Sequence, residues 1–171
     1  MTSYFPHTTY AEDQPNAHAI LYLHVARAAA MSGSFLSLFS ATASLLVSKY
    51  RRPTPITMPT LASRLLTHSG RGLLIGSVLG VAMTYGRMFG KEEIEWQDRA
   101  WRLQENKGEE DTDVVTFEAA AAGAVLAGLA ASRGRLGAIS ATGGAVGGAG
   151  LGMASGVGYM ISTYVRGRKP A

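Results

Sequence analysis

The chain has 171 residues, a formal net charge of +4, 16% charged residues and a mean hydropathy of +0.10. This length corresponds to one domain, and the absence of cysteine excludes disulfides and thiolate metal sites. Because the basic residues are not interleaved with aromatic ones as on a nucleic-acid-binding face, nucleic acid is not expected as a partner.

The N-terminal segment, residues 1–26, precedes the first apolar run. It lacks the hydrophobic stretch of a secretory signal and the basic amphipathic pattern of a presequence. The first basic residue is Arg27, which follows the acidic residues Glu12 and Asp13. Targeting information is therefore expected inside the mature chain.

Two apolar stretches follow and predict membrane spans over 27–48 and 72–90. The first contains 21 consecutive uncharged residues, from Ala28 to Ser48. The second repeats glycine at intervals of four. Glycines four apart lie on one face of a helix and form a groove for another helix backbone. The packing positions predicted in this span are Gly72, Gly76 and Gly80.

The connection from Lys91 to Glu118 holds ten acids against four bases, a net charge of −6. Apolar residues recur in it with helical spacing, which predicts a short amphipathic helix ended by Gly108. Both tryptophans of the chain, Trp96 and Trp101, lie here. We expect this helix to contact the membrane surface or a partner subunit, with a plain solvated helix as the alternative.

Two further spans are predicted over 116–132 and 137–162, followed by a basic tail, 166–171. The last span lies in a run of 30 uncharged residues, from Leu136 to Val165. A flexible linker is the alternative for such a glycine-rich segment, but linkers are polar, whereas a bilayer enforces a helix. The packing positions predicted in these two spans are Gly123, Gly144, Gly148, Gly152 and Gly156.

The sequence thus predicts an all-α membrane protein whose membrane domain, 27–165, contains four transmembrane helices and one short amphipathic helix. The loop between the first two spans has five bases and no acid, a charge of +5, and the loop after the third span has +2. The positive-inside rule places these two loops on one side of the membrane. Both termini are then expected on the opposite side.

Candidate chemistry is limited to charged residues near the span ends. The four histidines are scattered, and no catalytic, metal or cofactor motif is recognised. Arg87 and Glu118 are a candidate intramembrane ion pair between spans two and three, with the alternative that they only mark the membrane interface. A basic cluster after span one is predicted to bind lipid head groups, cardiolipin in particular, with the alternative that it only orients the protein in the membrane. Its members are Lys49, Arg51 and Arg52.

The helix pattern and the charged segment between spans two and three resemble the inner-membrane preprotein translocase channel superfamily. Within it, residues 70–165 most resemble the four-helix supernumerary subunit in the membrane arm of mitochondrial respiratory complex I. The most specific stretch is KGEED at 107–111, followed by FEAAAAG at 117–123 and the later glycine run. Translocases have an arginine where Lys107 stands and a glycine pair near Ala119 and Ala120, and these departures argue against protein-conducting activity.

This resemblance implies a non-catalytic accessory subunit without cofactors, embedded in the mitochondrial inner membrane with both termini towards the intermembrane space. It would support assembly and stability by packing on the core membrane-arm subunits of complex I. Membrane lipids are expected as partners from the basic cluster after span one, and a neighbouring respiratory complex is a further candidate partner that the sequence does not decide. The alternative function is a preprotein translocase or small-solute channel subunit of the same membrane.

Overall fold

The computed structural model describes residues 4–51 and 55–167. Within these ranges it contains α-helices and a short 3-10 helix, Ala11–Asp13, and no β-strand, which confirms the all-α prediction. Arg52 and residues 168–171 of the predicted basic tail lie outside the described part of the chain. The α-helices are α1 Ala17–Arg51, α2 Met58–Met88, α3 Glu93–Glu105, α4 Lys107–Ser132 and α5 Ala141–Val165.

The helices α1 and α2 begin well before the apolar runs that predict them. The first begins at Ala17 rather than at 27, and the second begins at Met58 rather than at 72. Hydropathy marks only the apolar part of a helix, whereas the helix continues wherever its hydrogen bonds and packing allow. Thr57 is the N-cap residue of α2 and Pro59 stands in its first turn, where proline is favourable.

A single residue, Asn106, separates α3 from α4. Glu92 and Glu95 form a capping box at the start of α3. A hydrogen bond from the Lys91 ammonium, 2.9 Å away, lowers the pKa of Glu95. The Asn106 side chain accepts hydrogen bonds from two N–H groups in the first turn of α4. The prediction that Gly108 ends α3 is wrong, because Asn106 performs this role and Gly108 belongs to α4.

The four long helices form two packed pairs, α1 with α2 and α4 with α5. Helix α5 also packs against α2 and α1, so it joins the two pairs. Helix α3 lies at one end of the bundle, where its apolar residues pack against the start of α1. The turn between α4 and α5 uses Gly134 and Gly137 at φ values of 68° and 69°, which glycine adopts without steric cost.

Among the residues that the structure describes, three helices, α1, α2 and α4, are long and apolar enough to cross a membrane. These helices are consistent with a membrane protein. Helix α5 has 25 residues and no charged side chain, but its many glycines contribute little to hydropathy. Its composition alone therefore does not place it among the spans.

Candidate functional site

The α4–α5 interface brings two helix backbones into direct contact. Gly148 of α5 faces the Gly123 carbonyl of α4, and Gly152 faces the Ala119 carbonyl. A methyl group at either α5 position would overlap backbone atoms, and Gly144 continues the same seam. Such close approach increases the van der Waals contact that holds helices together in lipid.

The α1–α2 interface is built in the same way. Gly72, Gly76 and Gly80 of α2 lie directly against the backbone of α1. A Cβ atom at Gly80 would stand 2.7 Å from the Ala26 Cα, and one at Gly33 would stand 2.5 Å from the Gly72 carbonyl oxygen. Neither interface has room for a methyl group at these positions.

Helix α5 uses more than one face. Gly147 and Gly150 lie against the α2 backbone, and the Ser69 hydroxyl donates a hydrogen bond of 2.9 Å to the Gly147 carbonyl. At Gly156, an added Cβ would stand 2.8 Å from the Met31 sulfur of α1. All eight glycines predicted as packing positions therefore line contacts between helices of this chain.

A cluster of four ionisable side chains lies between the beginnings of α1 and α4. Arg27 contacts Asp113 in an ion pair, and each side chain is only 1% exposed. The Arg27 guanidinium also lies 3.3 Å from the Glu109 carboxylate. The His24 imidazole lies 3.8 Å from each of the two carboxylates. We refer to these four residues as the buried charge cluster.

The buried charge cluster has the spacing of a cation site but already contains a cation. The ligand atoms of His24, Glu109 and Asp113 all lie within 4.8 Å of one another. One guanidinium nitrogen of Arg27, Nη2, contacts all three of these residues. Because that nitrogen stands among the would-be ligands, the arrangement acts as an ion-pair network that joins α1 to α4. Buried charges in an apolar domain are costly unless paired.

The predicted pair between Arg87 and Glu118 is not formed. Both side chains are exposed, and no ion pair within 4.0 Å joins them in the described part of the chain. Their helices, α2 and α4, make few contacts, because α5 packs against both. A buried ion pair between helices is instead made by Arg27 of α1 with Asp113 of α4.

Trp96 is buried inside the chain, so the prediction that it contacts the membrane surface or a partner is wrong. Its indole stacks on the His18 imidazole, with ring centroids 3.8 Å apart, and it is 7% exposed. It forms a small core with residues from the start of α1 and the end of α2, including Ile20 and Met88. Helix α3 therefore uses its apolar face to dock on α1.

Trp101 contacts the N-terminal segment. Its indole N–H donates a hydrogen bond of 2.9 Å to the Thr8 carbonyl oxygen, and its ring lies beside that of His7. The His7 imidazole lies 2.5 Å from the Glu105 carboxylate, and the Gln104 amide donates to the Phe5 carbonyl. The described residues before α1 thus fold back onto α3.

The predicted lipid-binding residues Lys49 and Arg51 lie exposed in the last turn of α1. Positive charge is favourable there, because the carbonyl groups at a helix C-terminus carry a partial negative charge. The Arg64 guanidinium reaches the same end of the bundle and donates to the Ser48 hydroxyl at 3.3 Å. Basic side chains from α1 and α2 thus share one end of the bundle, and their lipid role stays a prediction.

Sequence reasoning missed the buried charge cluster and the small residues of α1. A signal for the cluster exists: His24 and Arg27 lie one turn apart, as do Glu109 and Asp113. Such spacing places the two side chains of each pair on one face of its helix, where a partner from another helix can reach both. The prediction of span one also leaves out a row of small residues four apart. The row is Ala29, Gly33, Ser37 and Ala41.

A family model described as "Protein of unknown function (DUF1757)" matches residues 7–159. The match covers most of the N-terminal segment, helices α1 to α4 and most of α5. It therefore includes the buried charge cluster and the glycines of the α1–α2 and α4–α5 interfaces. The comparison with curated proteins finds no match.

Proposed function

We propose that this chain, which belongs to the DUF1757 family, is a non-catalytic accessory subunit in the membrane arm of mitochondrial complex I. In that role it would support assembly and stability of the arm by packing on its core membrane subunits. The resemblance of residues 70–165 to the four-helix supernumerary subunit suggests the role. The distribution of small and large side chains over the bundle supports it.

The contacts between α1 and α2 and between α4 and α5 use small residues, whereas many large apolar side chains of α2 and α4 face outward. Ile75 and Val78 of α2 are 61% and 69% exposed, and Leu126 of α4 is 69% exposed. Extended exposed apolar surface is a mark of contact with lipid or with other proteins. A tightly packed unit with apolar outer faces suits a subunit that lies between lipid and larger membrane subunits.

A preprotein translocase or small-solute channel subunit is the alternative function. A conducting path inside one copy finds no room along the α4–α5 seam, where even a methyl group at Gly148 would overlap the backbone. Arg27 and Asp113 are also paired with each other inside the bundle, which leaves neither of these charges to line a polar path. A channel would therefore need a path between several copies.

Native electrophoresis of mildly solubilised mitochondria tests the proposal. We expect a tagged chain to migrate with in-gel NADH dehydrogenase activity, and we expect loss of the chain to diminish that band. A subunit of an import channel would instead migrate with import components and conduct ions when reconstituted alone. Either of these last two results would contradict the proposed role.

The proposed location is the mitochondrial inner membrane, with α5 as the fourth span. The packing of α5 supports this, since Gly144 lies opposite Ala127 and Gly152 lies opposite Ala119 of α4. The two helices are thus antiparallel, and they pass through the same depth. Four spans return both termini to one side, which the charge pattern places opposite the basic loops, towards the intermembrane space.

Protease protection tests this topology. We expect protease added to mitochondria with ruptured outer membranes to remove a C-terminal tag, because that end would face the intermembrane space. A tag on an intrinsic matrix protein serves as the protected control. A C-terminal tag that stays protected until the inner membrane is opened would contradict the orientation.

Cardiolipin is the proposed lipid at the basic end of α1. Lys49 and Arg51 are exposed there, and basic groups on the matrix side of membrane helices commonly bind cardiolipin head groups. The lipid would connect this end of the bundle to neighbouring subunits of complex I or to a neighbouring respiratory complex. No cofactor is proposed.

A further inference from the structure

A groove of about 740 Å³ opens on the surface of the α1–α2 pair. Small residues such as Ala28 and Gly33 of α1 line it and leave the space open. Along α1 the lining extends from Val25 to Ser40, about 22 Å at a rise of 1.5 Å per residue. This length exceeds the roughly 15 Å that one leaflet contributes to the hydrocarbon core of a bilayer.

Polar side chains gather at one end of the groove. The Ser40 hydroxyl and the His68 imidazole are joined by a hydrogen bond of 2.8 Å. Beside them lies Arg71, whose side chain is exposed and lines the groove. Among the residues that the structure describes, no carboxylate lies within 4.0 Å of its guanidinium. The rest of the lining is almost entirely apolar.

The charged end of the groove points towards the basic end of the bundle. Arg71 follows Arg64 by seven residues, about 10 Å along α2, and Arg64 contacts Ser48 near the end of α1. A long arginine side chain can lie along apolar surface while its guanidinium reaches polar groups. The apolar groove therefore ends at the Arg71 guanidinium, on the side of the protein that carries more positive charge.

We propose that this groove binds one anionic phospholipid, with an acyl chain along α1 and α2 and the phosphate at Arg71. Guanidinium and phosphate form strong, charge-assisted hydrogen bonds. A partner helix would need an apolar face along the groove and an acidic side chain at the one position that meets Arg71. A phospholipid carries its negative charge at the end of the apolar chain that fills the groove. The site is separate from Lys49 and Arg51 and does not depend on the proposed function.

Lipid retention by the full chain tests the proposal. The chain is purified in mild detergent, incubated with equal amounts of phosphatidylglycerol and phosphatidylcholine, and analysed by native mass spectrometry. We expect phosphatidylglycerol to be retained preferentially and Arg71→Gln to lower its retention about fivefold. Arg71→Lys should keep most of it. The matched control Arg87→Gln changes an exposed arginine of the same helix outside the groove lining and should have no effect.

A second pair of variants tests the apolar part of the groove. Ser32→Phe places a ring among the lining residues and should lower retention of both lipids, because it fills space that an acyl chain needs. Thr42→Phe, at an exposed α1 position outside the lining, should leave retention unchanged. Both positions are exposed, so neither variant disturbs the helix packing.

Three results would overturn the proposal. The first is equal retention of the two lipids by the unmodified chain, and the second is equal loss in Arg71→Gln and Arg87→Gln. The third is a photo-crosslink from Leu36, in the groove lining, that captures a protein in native membranes while no lipid is retained.

Discussion

Replacing Gly148 with leucine is expected to separate α4 from α5 and to destabilise the chain by about 3 kcal/mol or more. The new side chain would meet the Gly123 backbone and would begin 2.7 Å from the Ala127 Cβ. A backbone cannot move aside as a flexible side chain can, so the helices must part. The first measurement is the temperature of unfolding of the purified chain in detergent. The second is the amount of the chain that migrates with complex I, its proposed assembly, on a native gel.

Gly158→Leu is the matched control for Gly148→Leu. Gly158 lies in the same helix, and a Cβ there meets no atom of the described chain within 4 Å. Both changes raise helix propensity and hydrophobicity equally, so membrane insertion is the same. Val146 is a poorer control, because its side chain packs close to Gly70. Equal unfolding temperatures for the two leucine variants would show that the seam does not hold the bundle together.

Replacing Arg27 with methionine is expected to cost about 3–5 kcal/mol, because it leaves the buried Asp113 carboxylate without its closest cation. The free energy of unfolding in mixed detergent measures the loss. Arg102→Met serves as the control, since Arg102 pairs with Asp98 at 73% exposure. A surface pair of this kind contributes less than about 1 kcal/mol.

The double variant Arg27→Met with Asp113→Leu separates pairing from simple loss of packing. If the charges stabilise only one another, removing both should recover most of the stability lost in the single variant, because an apolar pair can fill a buried ion-pair site. A double variant as unstable as Arg27→Met alone would contradict this account. The remaining destabilisation would then belong to Glu109, which Arg27 also contacts.

The glycine rows show how far sequence reasoning reaches. A spacing of four places Gly144, Gly148 and Gly152 on one side of a helix whatever the fold, and the structure has all three facing α4. The spacing does not say which helix packs against this glycine face of α5. Gly147 and Gly150 face α2, and their role depends on the position of α5 in contact with three helices.

The contacts of charged and aromatic residues are where prediction from the sequence fails. The positions of Arg87 and Glu118 at predicted span ends suggest an ion pair, yet their helices make few contacts. Arg27 and Asp113 are separated by 86 positions in the chain and pair because the beginnings of α1 and α4 meet. Trp96 has the sequence context of an interfacial residue but is covered by α1. Such contacts depend on the fold.

The helical class, the apolar stretches of the helices and the faces that carry glycine can be predicted from local periodicity and composition. Which faces meet, which charges pair and what covers the tryptophans depend on the tertiary structure. The difference lies in how far apart in the chain the interacting residues are. A helix is specified by residues within a few turns, whereas packing partners are selected by the shape and charge of helices far apart in the chain.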